Sequence, residues 1–245
     1  MKNRFLLLAS LLLILSVTGC SGNQAEQPVE NSDTVTEAEL QSISEEPSTV
    51  QPESSEAEQA TEENNDVLIV YFSRWGNTEF PEDVDATASA SIVVDGEDYG
   101  TTEYVARLIQ EQIGGDLHLI QTQEKYPADF DELRDLNHEE MAEGYLPPLV
   151  ESNLDVSQYD TVFIGYPVWA TDVPQAVLSF LQEYDLSGKT VIPFCTHGGY
   201  GAGDSYSTIR ENSHAAQSLE GLAINAEDIY EAGSVITDWL NSIGL

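Results

Sequence analysis

The sequence predicts an α/β domain built on a doubly wound, five-stranded parallel sheet with helices on both faces. Three observations carry this expectation. Short, continuous apolar runs rich in β-branched residues recur along the chain after residue 65, as strands buried on both faces require. Stretches with apolar residues at helical spacing lie between them. The two kinds of segment alternate, and strand–helix–strand alternation implies a parallel sheet covered on both sides.

The first run, residues 67–72 (Val-Leu-Ile-Val-Tyr-Phe), is a buried strand. Residues 101–113 follow as a helix, with Val105, Leu108, Ile109 and Ile113 on one face and Gly114-Gly115 as its stop. Residues 116–121 form the second strand. A helix over 129–143 is bounded by Pro127 and by Pro147-Pro148. The third strand is 161–165, and the helix 175–184 starts behind Pro174. The fourth strand is 190–194, followed by a helical pattern over 204–216. A short fifth strand at 221–224 and a helix over 234–243 close the chain.

The organisation before this domain is different. The chain has 245 residues, yet all 11 Tyr and all 3 Trp lie after Asp66. Residues 1–19 have a charged start (Lys2, Arg4) and an apolar run from Phe5 to Leu15, the pattern of a secretory signal. The run is short for a transmembrane helix. It ends in Val17-Thr18-Gly19-Cys20, which resembles a bacterial lipobox. That resemblance implies cleavage after Gly19 and attachment of lipid, palmitate included, at Cys20, where several acyl chains anchor more firmly than one. The other reading is a plain cleaved signal beside an incidental cysteine. Residues 20–65 are rich in Glu, Ser, Gln, Thr and Pro, with no Lys, Arg or aromatic residue. Such a segment reads as a disordered acidic tether, because it cannot bury enough apolar surface to offset its ordering entropy. Its random-coil reach is roughly 40 Å. Residues 66–245 are the folding unit, at the outer face of the cell membrane.

The formal net charge is −36, with no basic cluster in the domain, so nucleic acid is a poor partner. The two cysteines, Cys20 and Cys195, make no disulfide framework or metal site. No Gly-x-Ser-x-Gly elbow is present, and the four His (118, 138, 197, 214) are scattered, which argues against a hydrolase.

In a doubly wound fold, ligands sit beyond the carboxyl ends of the strands at a topological switch point. The loops after strands one, three and four therefore matter most. The first, Ser73-Arg74-Trp75-Gly76-Asn77-Thr78, carries hydroxyls and a glycine where a helix N-terminus could bind an anion, or it is an ordinary strand-to-helix turn. It lacks the Lys-Ser/Thr ending of a nucleotide triphosphate loop and the three-glycine dinucleotide fingerprint. The second loop, Gly165-Tyr166-Pro167-Val168-Trp169-Ala170-Thr171, offers Trp169 to a planar ligand or to the sheet edge. The third, Thr196-His197-Gly198-Gly199-Tyr200-Gly201-Ala202-Gly203, holds four glycines in eight residues, a density that is costly unless backbone must approach something closely. His197 is a candidate proton donor or a plain hydrogen-bonding residue.

Taken together, residues 67–78, 165–171 and 194–203 resemble the flavodoxin-like proteins, and the resemblance covers nearly all of residues 66–245. Gly188-Lys189-Thr190 and Asp238-Trp239-Leu240 add to it. It implies flavin mononucleotide (FMN) as cofactor. Ser73, Arg74, Asn77 and Thr78 would map onto the phosphate loop. Pro167, Val168, Trp169 and Ala170 would flank the isoalloxazine ring, with Thr196, His197, Gly198, Gly199 and Gly203 on its far edge. One departure stands out. Residues 79–100 intervene before the first helix, which starts at Gly100-Thr101-Thr102-Glu103, itself similar to the family's helix start. Thr101 and Thr102 are therefore alternative phosphate ligands to Asn77 and Thr78, and the insert is a candidate lid.

The function expected is electron transfer. The protein is either a carrier working with a redox partner protein or an FMN-dependent oxidoreductase acting on a small acceptor such as a quinone or linked to NAD(P)H. The absence of a nicotinamide fingerprint favours the carrier. The competing reading is a non-redox, lipid-anchored binding module on the same fold.

Overall fold

The computed structural model describes residues 66–80, 97–245 and the backbone of 92–94. The signal sequence, Cys20, the acidic tether and most of the insert lie outside the described residues.

In chain order the elements are β1 (Val67–Tyr71), β2 (Ile92–Val94), β3 (Glu97–Tyr99), α1 (Thr101–Ile113), β4 (Asp116–Leu119), α2 (Phe130–Glu143), β5 (Thr161–Pro167), α3 (Gln175–Glu183), β6 (Thr190–His197), α4 (Ser205–Asn212), β7 (Gln217–Ser218), β8 (Leu222–Asn225) and α5 (Ala232–Ile243). The main sheet is parallel and ordered β4-β1-β5-β6, with β7 and β8 both pairing with β6. Chain order therefore reverses beside β1, which makes the crevice above β1 and β5 the switch point. β2 and β3 form a separate antiparallel hairpin within the insert.

The expected fifth strand is present as β8, a two-residue β7 precedes it, and Pro193 explains the gap between them. A proline brings no N–H to a ladder. β7 pairs with Thr190 and Val191, β8 pairs with Phe194 to His197, and Pro193 sits at the gap. Other boundaries also differ from expectation. The helix expected to reach residue 216 ends at Asn212, and His214 takes a positive φ of 52°. β5 and β6 run further than their apolar cores, because Pro167 pairs in register with Thr196. Pro167, Thr196 and His197 are thus strand-end residues rather than loop residues.

Period-two alternation sorts the core into two layers. Leu68, Val70, Phe72, Val162, Ile164, Tyr166, Val191 and Cys195 face Leu133 of α2, Phe180 of α3 and Ile209 of α4. Ile69, Tyr71, Phe163, Ile192 and Phe194 face Val105 and Ile109 of α1 and Ile236 and Trp239 of α5. Each such fully buried large side chain contributes about 1.5–3 kcal/mol. α1 stops where expected, at Gly114 (φ 75°), and α2 is capped by Asp129, whose carboxylate accepts from the N–H groups of Asp131 and Glu132. The layers fix the carboxyl ends of β1, β5 and β6 side by side. The register Tyr71–Gly165–Phe194 brings the three functional loops out at one edge.

Candidate functional site

The first loop does not lead into a helix. After Ser73 the chain packs against the segment after β4. Arg74 donates to the carbonyls of Pro127 (3.1 Å) and Ala128 (2.9 Å) and lies over the Phe80 ring. Burial holds its pKa below the usual guanidinium value. Asn77 is fully buried and fully used. Its Nδ2 donates to the carbonyls of Ser73 (2.9 Å) and Ile120 (2.8 Å), and its Oδ1 accepts from the N–H of Thr122 (2.9 Å). It ties the end of β1 to the segment after β4. Thr78 is buried nearby, its Oγ1 without a hydrogen-bond partner.

The chain comes back to Ser73 at the far end of the insert. A Cβ added at Gly100 would stand 2.1 Å from Ser73 Oγ, so only glycine permits this approach. α1 starts there, its N-cap Gly100 supplying no side-chain bond. Thr101 and Thr102 are buried in its first turn, and Thr102 Oγ1 meets Thr196 Oγ1 at 2.9 Å. Ser73, Gly100, Thr101, Thr102 and Thr196 thus gather at the amino end of a thirteen-residue helix, the kind of place that attracts an anion.

The second loop is a tight reversal. Trp169 and Asp172 exchange backbone hydrogen bonds, both at 2.9 Å, around Ala170 (φ 47°) and Thr171 (φ 66°). Two successive non-glycine residues with positive φ are a stored strain that the surroundings must hold. The holding groups are visible. The Asp204 N–H donates to the Thr171 carbonyl at 2.9 Å, Thr208 Oγ1 donates to Asp172 Oδ2 at 3.0 Å, and Gly203 lies so close that a Cβ would fall 2.1 Å from the Thr171 oxygen. Gly203 therefore works beneath the turn. Val168 is tied to the third loop through its N–H and the Thr196 carbonyl (2.8 Å). Trp169 is half-buried and meets Phe72 (5.4 Å) and Tyr126 (5.2 Å) edge to face. Behind it Tyr126 donates to Glu140, whose carboxyl is pushed up to about 6 by desolvation.

In the third loop, His197 Nδ1 accepts from the Gly199 N–H at 3.1 Å, so the neutral ring carries its proton on Nε2. Burial lowers its pKa. Cys195 just before it is buried, with its thiol pushed up to about 11, which suits a core residue rather than a nucleophile.

Val168, Trp169, Ala170, Thr171, His197 and Gly198 line one groove of about 410 Å³, together with Tyr200 and Gly201. Its remaining wall was not anticipated from the sequence. Phe130, Leu133, Arg134, Asn137 and His138 of α2 line it as well. Their spacing, i, i+3, i+4, i+7, i+8, is that of one helix face. The signal was there, but a stripe mixing Phe, Leu, Arg, Asn and His reads as a half-solvated face.

The structure thus brings Ser73, Thr101, Thr102 and Thr196 together at one end, and Val168, Trp169, Ala170, His197 and Gly198 at the other. Pro167 joins the two loops through the sheet, while Gly199 and Gly203 shape the backbone. Arg74 and Asn77 are engaged with the segment after β4.

No curated protein matches the chain significantly. Among solved structures, a protein from Bacteroides eggerthii assigned as a flavoprotein is 26% identical, with a TM-score of 0.54, covering 73% of this chain and 98% of its own. A second protein so assigned, from Bacteroides uniformis, is 24% identical, with a TM-score of 0.55, covering 71% and 97%. A flavoprotein from Lactobacillus acidophilus, solved in complex with FMN, is 20% identical, with a TM-score of 0.47, covering 69% and 97%. A sequence model described as Flavodoxin matches residues 90–243, beginning just before Gly100. With well over half its length matched, this chain belongs to the flavodoxin family.

Proposed function

We propose that this chain is an FMN-binding redox protein, lipid-anchored through Cys20 at the outer face of the cytoplasmic membrane. The observation that carries the flavin reading is the two-ended crevice above β1 and β5. The phosphate end is the α1 N-terminus with the buried hydroxyls of Ser73, Thr101 and Thr102. The α1 start has no side-chain cap, and Gly100 lets the Ser73 hydroxyl pack directly against the helix start; both features fit a phosphate. The ring end is the Trp169 turn and the backbone from Thr196 to Gly199. FMN supplies the exchange of one or two electrons, and the protein supplies binding and environment. Trp169 offers an aromatic face, and the His197 Nε2–H offers a donor. The glycine-rich backbone permits close approach, and the acidic surface opposes added negative charge on the ligand.

The anchor reading rests on the charged start, the apolar run and Val17-Thr18-Gly19-Cys20. Residues 20–65 then act as a spacer, and the electron partner is a redox protein or a small acceptor at the membrane. Two measurements test these readings. Purified full-length protein is expected to show flavin absorbance, with released FMN matching the protein mole for mole; a colourless protein that takes up no flavin would favour the non-redox binding module. Cys20→Ala is expected to move the protein out of the membrane fraction, and unchanged fractionation would remove the anchor.

A further inference from the structure

The groove reaches past the loops assigned to the flavin ring and onto α2, and one polar atom on that side has no partner. Asn137 is 3% exposed and lines the groove. Its Nδ2 donates weakly to Met141 Sδ at 3.5 Å, while its Oδ1 has no hydrogen-bond partner. A buried acceptor left unmade carries an uncompensated desolvation cost, so a groove ligand that brings a donor would recover it.

The other lining residues narrow the ligand further. Phe130, Trp169 and Tyr200 are aromatic, and Phe130 (64%) and Tyr200 (90%) are exposed far beyond what core packing needs. Exposed aromatic side chains around a groove suit a flat apolar body. Among the described lining residues the only permanent cation is Arg134, and it is already bonded to Asp131 (2.6 Å) and Asp135 (2.8 Å). With that cation already paired, the groove has little to hold an anionic ligand such as a dinucleotide. We infer that the α2 side of this groove is a second-ligand subsite for an uncharged planar hydroxyarene, a phenol or hydroquinone, whose hydroxyl donates to Asn137 Oδ1 while its ring lies among Phe130, Trp169 and Tyr200. The inference takes its place beside the flavin from the function proposed above, and its chemistry from Asn137 and the groove walls alone.

The test uses the full-length protein, FMN-loaded and flavin-free, and three probes followed by calorimetry: 2-naphthol, its methyl ether, and 2-naphthoate. Naphthol is expected to bind both forms. The ether, which has lost the donor, and the anionic naphthoate should each bind about tenfold more weakly. Asn137→Leu should lower naphthol affinity to that of the ether, leave the ether unchanged, and leave FMN affinity within about twofold. Because this substitution removes an unsatisfied polar atom, the melting temperature should not fall. Equal binding of naphthol and ether would overturn the subsite. So would naphthol binding to the flavin-free form only, which would mean that the flavin fills the groove, or an equal loss of FMN and naphthol affinity in Asn137→Leu. If the protein takes up no FMN at all, the flavin reading falls, and the naphthol titration of the same protein still decides the subsite.

Discussion

The two ends of the crevice are built on opposite plans. The ring end comes from two short continuous segments, 168–171 directly after β5 and 196–203 at and just beyond the end of β6. The phosphate end is assembled from residues far apart in the chain, Ser73 after β1 and Gly100–Thr102 at the start of α1, with the insert between them. The ring end is held by strain and by bracing, with Ala170 and Thr171 at positive φ above Gly203. The phosphate end is held by close approach, with Gly100 against Ser73. A continuous loop advertises itself through composition. A discontinuous one shows only in three dimensions, and a nearby look-alike can mask it.

The sharpest way to break this comparison is one methyl group at each end. Gly100→Ala drives a Cβ to 2.1 Å from Ser73 Oγ and 2.9 Å from Trp75 Cβ. An overlap of that kind costs on the order of 2–3 kcal/mol, and FMN affinity should fall by about a hundredfold. Gly198→Ala at the ring end meets no protein atom within 4 Å, so it should leave the melting temperature unchanged, and its loss of FMN affinity, at most about tenfold, comes only from the approach of the ring itself. A flavin titration of both variants checks this, and equal losses would show that the two ends are not differently built.

Asn77 against Ser73 is the next contrast. Asn77→Ala leaves the Thr122 N–H and the Ser73 and Ile120 carbonyls without their partner, costing about 3 kcal/mol in denaturant unfolding. The preference for FMN over riboflavin should survive that change. If it vanished while stability held, Asn77 would be a phosphate ligand after all.

Trp169→Ala removes two edge-to-face contacts, worth roughly 1 kcal/mol beyond area burial. It should weaken FMN and riboflavin alike, by about fivefold. A loss confined to FMN would move the tryptophan to the phosphate end.

The smallest effect concerns pH. Glu140 is raised from 4.5 to about 6, mainly by desolvation. Its buried carboxyl therefore contributes stability that is full below the unfolded value and is lost as pH rises through about 6, a change of about 1–2 kcal/mol. Glu140→Gln should flatten that part of the stability profile between pH 4.5 and 6, as read by urea unfolding at each pH. An unchanged profile would mean that Glu140 titrates normally.

Much of this architecture was legible in the sequence, and the exceptions have physical causes. Strands buried on both faces leave continuous apolar runs, so β1, β5 and β6 could be read directly. The extra strand β7 and its separation from β8 depend on the missing N–H of Pro193, which apolar periodicity does not register. At the site, the Trp169 turn and the glycine-rich segment were visible because special backbone needs leave marks in composition. Gly76-Asn77-Thr78 resembles a helix start, but Asn77 spends its amide on the segment after β4, and Gly100-Thr101-Thr102 begins the helix. The α2 wall of the groove went unread because its stripe alternates apolar and polar residues, the pattern of an amphipathic surface.

The most direct measurement is a parallel titration of FMN and riboflavin into the flavin-free full-length protein and its Ser73→Ala variant, followed by quenching of flavin fluorescence. The account predicts that the unmodified protein prefers FMN strongly, and that Ser73→Ala weakens FMN while leaving riboflavin nearly unchanged, because only FMN carries the phosphate. Equal loss of both flavins in the variant would contradict the phosphate assignment, and no binding of either flavin by the unmodified protein would contradict the account as a whole.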